Sequence, residues 1–127
     1  MAIGCRILVL EDEPELLELL TTFLGNLGHT VCPTASSETA LELLEVGGIE
    51  LSLVDVGAHG LLVARASASR NIPCLMMSGR PVIFEIGGLG EVMQKPIKLE
   101  VLRAKIETTL RNTRARISLS DEKLARS

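Results

Sequence analysis

The chain has no Trp, no Tyr and only two Phe among its 127 residues, so its core must be built from Leu, Val, Ile, Met and Ala. Cysteine is also scarce. Cys5, Cys32 and Cys74 are an odd number at wide spacings, with no C-x-x-C pair and no His set to complete a zinc site, so neither a disulfide framework nor a structural zinc site is expected. Reduced, buried thiols are the expectation. No apolar run approaches the ~20 residues that a membrane-spanning helix needs, so no membrane partner is expected. The N-terminus lacks the apolar stretch and small-residue cleavage site of a signal peptide, and cytoplasmic residence is expected. A formal charge of −3 gives no basic field for nucleic acid or anionic lipid. Small molecules and proteins are the expected partners. The length, with 46% apolar and 23% charged residues, fits one globular domain with one core.

Apolar runs of strand length recur at Arg6 to Leu10, Thr30 to Pro33, Ile49 to Val54, Cys74 to Met77 and Glu91 to Gln94. Between them lie segments with helical character, so the chain reads as strand and helix in alternation. The first helix is the best marked. Pro14 suits an initial turn, Glu13 and Glu15 favour its positive end, Gly28 supplies a stop, and Leu16, Leu19, Leu20, Phe23, Leu24 and Leu27 form its apolar face. A second helix is capped by Ser36 or Ser37 and stops at Gly47-Gly48. The last carries Leu99, Leu102, Ile106 and Leu110 at helical spacing. The third and fourth helices, Leu61 to Ser69 and Pro81 to Gly87, are expected to be short. Runs such as Ile7-Leu8-Val9-Leu10 have no polar alternation, as strands covered on both faces do. The prediction is an α/β three-layer sandwich on a parallel sheet, with a domain over 1–112 and a C-terminal tail, possibly a helical extension, over 113–127.

In an open parallel sheet, reactive groups gather at the C-terminal ends of the strands. Here those ends carry Glu11-Asp12, Asp55, Ser78 and Lys95-Pro96. Three carboxylates in one pocket raise each other's pKa unless a cation neutralises them. An all-oxygen set without His or Cys suits magnesium. Phosphoryl transfer follows as the chemistry, with Asp55 as nucleophile and Lys95 absorbing charge on the equatorial oxygens. Taken singly, each residue has an ordinary structural reading: helix-entry acids, a turn Asp, a capping Ser, a solvated Lys. Their convergence at one sheet edge is what points to a site.

Leu10-Glu11-Asp12-Glu13-Pro14, Leu53-Val54-Asp55-Val56, Ile72-Pro73-Cys74-Leu75-Met76-Met77-Ser78-Gly79 and Gln94-Lys95-Pro96-Ile97 together resemble the receiver domains of bacterial two-component response regulators, over roughly Arg6 to Asn112. The resemblance implies a flavodoxin-like fold with sheet order 2-1-3-4-5 and a cis bond before Pro96. It implies that Asp12 and Asp55 bind Mg2+ directly, Glu11 through water, and that the carbonyl of Gly57 is a further ligand. Asp55 would be the phosphoacceptor, Ser78 would hydrogen-bond the phosphoryl group and Lys95 would pair with it. The implied function is a stand-alone signalling switch in a phosphorelay, phosphorylated by a histidine kinase or histidine phosphotransfer protein. Its output would be contact with a target protein, without DNA binding, and its only catalysis would act on its own phosphorylation and hydrolysis.

The chain departs from the family pattern in three places. The segment from Asp55 to Pro73 is short, with Gly57-Ala58-His59-Gly60 as its loop; the segment from Ser78 to Lys95 is short and rich in Gly; and Val92 stands where a switch aromatic is usual. These departures favour one rival, a pseudo-receiver that binds partners without phosphate. The other rival is a magnesium-dependent phosphatase with an aspartate nucleophile. That enzyme class resembles an Asp-x-Asp signature, whereas this chain has Asp55-Val56-Gly57. His59 reads as an exposed loop residue and His29 as a turn residue.

Overall fold

The computed structural model describes residues 4–80 and 89–126, without the side chains at 118 and 120–126. The elements in order are β1 (Arg6–Leu10), α1 (Pro14–Asn26), β2 (Thr30–Thr34), α2 (Ser37–Val46), β3 (Leu51–Asp55), a single 3-10 turn (Val56–Ala58), α3 (Gly60–Ser69), β4 (Cys74–Ser78), β5 (Glu91–Gln94) and α4 (Leu99–Arg126). The expected short helix at Pro81 to Gly87 lies outside the described residues. Two compact units result, Met1–Pro96 and Ile97–Ser127.

In the first unit the five strands are all parallel, in the order β2-β1-β3-β4-β5. The chain winds outward to β2, returns past β1 to β3, and continues to β5. Strand order therefore reverses between β1 and β3, and the loops after those two strands diverge to open a crevice at the C-terminal edge. The alternation-free strands are buried as expected. Every residue of β3 and β4 is buried, and so is β1 apart from Arg6. The edge strands β2 and β5 are only partly covered, because each has a neighbour on one side alone.

The helices that position the site follow from local chemistry. Pro14 opens α1, where its missing N–H costs nothing. The Ser36 side chain accepts the Thr39 N–H at 3.3 Å and caps α2. Gly47 leaves α2 with φ 92°, a left-handed value that a side chain would resist. Leu44 of α2 and Val63 and Ala64 of α3 pack with Leu8, Leu10, Val54 and Met76 of the sheet into one apolar cluster. Full burial of each Leu in it contributes roughly 1.5–3 kcal/mol. One member of the expected α1 face is misplaced. Leu19 is 49% exposed, because the stripe that reaches the core runs through Leu20 and Leu24, and Leu19 lies about 100° around the helix from Leu20.

The second unit is the long helix α4, in which residues 113–126 continue the helix that begins at Leu99. Leu102, Ile106 and Leu110, spaced by four, are buried. Among the described residues no helix is long and apolar enough to cross a membrane.

Candidate functional site

Three carboxylates meet at the C-terminal edge of the sheet. β1 runs straight into Glu11, whose backbone N–H still bonds to Thr34 of β2 at 3.1 Å, so the last ladder bond fixes where this side chain starts. Glu11 is fully buried. Its Oε2 accepts the Glu13 N–H at 3.0 Å and its Oε1 lies 2.7 Å from the Lys95 ammonium, with no other donor at that atom among the described residues. Asp55 closes β3 and is 4% exposed. Its Oδ1 accepts the Gly57 N–H at 3.1 Å, and its Oδ2 is 3.5 Å from Lys95 Nζ. Asp12 is exposed at the rim. One oxygen each from Glu11, Asp12 and Asp55 lie within 4.8 Å of one another.

Lys95 comes from the end of β5. Its N–H donates to the Ser78 carbonyl at 2.7 Å, which continues the β4–β5 ladder, and a cis Lys95–Pro96 bond follows, as the family resemblance implied. Burial opposes the charged form of this amine, but Glu11 and Asp55 outweigh it and hold the Lys95 pKa above the usual value. Burial likewise pushes the Glu11 carboxyl up, and the charge of Asp55 adds to this, while Lys95 and the Glu13 N–H pull it back. Three carboxylates against one ammonium leave a formal charge of −2. A divalent cation balances that sum, and an all-carboxylate donor set suits a hard one.

Ser78 stands at the end of β4, next to β5 in the sheet, and its hydroxyl is engaged locally. It donates to the Arg80 carbonyl at 2.8 Å and accepts the Arg80 N–H at 3.2 Å. Gly57 touches the site through its N–H on Asp55. His59 is exposed, with a left-handed φ of 58° between the 3-10 turn and α3.

Gly60 is a contributor that sequence reasoning missed. A Cβ there would collide with the Asp55 carbonyl, so only glycine lets α3 begin directly over the end of β3. In sequence it looked like loop glycine, because the contact is made by folding and not by local pattern. The Glu13 N–H was missed for a similar reason, since a backbone donor leaves no sign in the sequence.

No family model matches the chain. Over 118 residues, 85% of this chain and 47% of the relative, it is 30% identical to the transcriptional regulatory protein TcrA of Mycobacterium tuberculosis. A response regulator receiver protein from Sinorhizobium medicae shares its fold with a TM-score of 0.79 and 23% identity, over 87% of this chain and 97% of that one. The chain has the fold of the response-regulator receiver proteins and is similar in sequence to part of the length of response regulators. The response regulator TrrA from Thermotoga maritima, crystallised with Mg2+ and BeF, gives a TM-score of 0.73 and 24% identity, over 82% of this chain and 97% of that one. The chain spans about half the length of the relative it matches in sequence. The expected sheet order and parallel architecture hold, and the acidic cluster sits at the sheet edge where this fold places its ligands.

Proposed function

We propose that this receiver is a phosphoacceptor switch in which Asp55 takes a phosphoryl group from the phosphohistidine of a histidine kinase or phosphotransfer protein. The observation that carries the reading is the meeting of buried Asp55 with Glu11, Asp12 and Lys95 around a pocket of formal charge −2. The donor set fits Mg2+, with Asp12 and Asp55 as direct ligands, Glu11 through water, and the Gly57 carbonyl as a further ligand. When bound, the metal supplies charge neutralisation for the incoming phosphoryl oxygens.

The protein's own groups do the rest. The Gly57 N–H fixes Oδ1 of Asp55 and so sets the orientation of the carboxylate toward the crevice. An Asp55 oxygen forms the new O–P bond as the donor's P–N bond breaks, and the bond pair leaves with the imidazole, which takes a proton. Lys95 stays protonated because two carboxylates face it, so its ammonium is ready to pair with the transferred group. For Ser78 to hydrogen-bond that group, its single hydroxyl proton must leave the Arg80 carbonyl. The output is contact with a target protein, and the only chemistry is gain and hydrolysis of the domain's own acyl phosphate.

Treatment with acetyl phosphate and magnesium, borohydride reduction and peptide mapping test the assignment. Reduction converts an aspartyl phosphate to homoserine, which is expected at position 55; homoserine at any other position overturns it. A phosphate-independent binding module is the second reading. It is favoured by the engaged Ser78 hydroxyl and by half-buried Val92, which packs against the core and has no ring to reorient. The same map, with no homoserine anywhere, selects it.

A further inference from the structure

β4 ends in a turn that ties Arg80 to the site. The Ser78 hydroxyl holds both main-chain groups of Arg80, its carbonyl at 2.8 Å and its N–H at 3.2 Å. The two bonds are not equivalent. The hydroxyl proton goes to the carbonyl, whereas the Arg80 N–H goes to a lone pair on the oxygen, so turning that proton elsewhere breaks the first bond and leaves the second. Arg80 therefore stays one N–H···O bond from the Ser78 oxygen even when the hydroxyl serves a group bound at Asp55. Its main chain is held and its side chain is not. Arg80 is exposed, and among the described residues no hydrogen bond or ion pair engages the guanidinium.

Charge balance gives this cation a task. The pocket of formal charge −2 is neutralised by one divalent cation. Converting Asp55 to its acyl phosphate replaces one negative charge by about two, so about one is left over. Lys95 is already counted in that sum. The connections that leave the C-terminal ends of the five strands, read in sequence as far as Pro96, contain two Lys or Arg residues, Lys95 and Arg80. Arg6 stands at the opposite end of β1, Arg65 inside α3 and Arg70 just past its end. Arg80 is thus the cation left to balance the remaining charge. Its chemistry suits the ligand, since a planar guanidinium takes two oxygens of a phosphoryl group at once.

We propose that Arg80 is a phosphoryl-binding residue of this chain, its guanidinium closing on the phosphoryl group of Asp55 while the Ser78 hydroxyl turns from the Arg80 carbonyl to the same group. This rests on the phosphoacceptor reading. Beryllium fluoride, a tetrahedral mimic of a phosphoryl group, is the probe, and fluorine NMR titration of the full chain in saturating magnesium reads its affinity. Arg80→Gln is expected to weaken binding roughly tenfold or more, the contribution of a charge-assisted hydrogen bond, and Arg80→Lys to recover part of it. Arg65→Gln removes the same charge from an exposed position on α3 and is expected to leave the affinity unchanged. Magnesium affinity without the fluoride should not fall in any of the three, because none removes a metal ligand. Ser78 binds only the main chain of Arg80, so the turn survives these substitutions, and circular dichroism verifies the fold. Equal affinity of Arg80→Gln and wild type overturns the proposal and leaves the phosphoacceptor reading standing. So does an equal loss on Arg65→Gln, which assigns the effect to net charge. A wild type that takes up no beryllium fluoride overturns both.

Discussion

Replacing Lys95 by Met removes a charge and keeps most of the side-chain volume, and so isolates what the ammonium does for the acidic pocket. In the native protein it sits 2.7 Å from a fully buried Glu11 carboxylate and 3.5 Å from Asp55, and is itself 19% exposed on its side chain. Breaking a buried ion pair by removing one partner costs about 3–5 kcal/mol, since the remaining charge is left uncompensated. Solvent reaches Lys95 in part, so a loss somewhat below that range, about 2–3 kcal/mol, is expected in the absence of magnesium. Urea unfolding followed by far-UV circular dichroism measures it, because the chain has no Trp or Tyr to report by fluorescence. Glu11→Gln in the Lys95→Met background should recover most of the loss, as both charges are then gone. The pH dependence has a definite sign. Glu11 already has a raised pKa in the fold, and losing Lys95 raises it further; a group with a raised folded pKa is favourable below its unfolded value near 4.5 and unfavourable as pH rises past it. The Lys95→Met penalty should therefore shrink as pH falls from 8 toward about 5. Magnesium should also shrink it, by binding the folded state. A variant as stable as wild type without magnesium at pH 8, or a penalty that grows on acidification, would refute the reasoning.

Gly60→Ala should destabilise the domain by about 1–3 kcal/mol, since its Cβ must displace the Asp55 carbonyl or the start of α3. It should also weaken magnesium binding by isothermal titration, which a distant packing defect would leave unchanged. Burial pushes the Cys74 thiol up to about 12 from 9.0, so the folded state keeps the proton while the unfolded chain loses it. Stability should then be unaffected below pH 9 and fall above it by about 1.4 kcal/mol per pH unit, a slope that Cys74→Ala removes. Ser78→Ala should lose its Arg80 bonds at a cost of about 0.5–1.5 kcal/mol in urea unfolding, with magnesium affinity unchanged because Ser78 is not a ligand.

Much of this molecule was legible before any fold was seen. Uninterrupted apolar runs at β1, β3 and β4 announced strands covered on both faces, and polar residues placed where those runs stop brought Glu11, Asp55 and Lys95 to one edge. The caps of α1 and α2 were legible because capping is local chemistry. What escaped depends on contacts distant in sequence or on the backbone. Leu19 has the composition of a core residue and the angular position of a surface one. Gly60 is required by a carbonyl that only the folded chain brings near it. Ser78 offers a hydroxyl to the site in sequence, whereas the structure has already given that hydroxyl to Arg80. His29 read as a turn residue, yet its Nδ1 accepts the Cys5 N–H at 3.2 Å and so ties the start of β1 to the turn before β2.

The most direct test of the central claim is intact-mass analysis after incubation with acetyl phosphate, on wild type and Asp55→Asn, each with and without magnesium. The account predicts an adduct of about 80 Da on wild type, dependent on magnesium and lost on Asp55→Asn, with the added charge of a phosphoryl group. An adduct that persists on Asp55→Asn, or its absence from wild type with magnesium present, would contradict it.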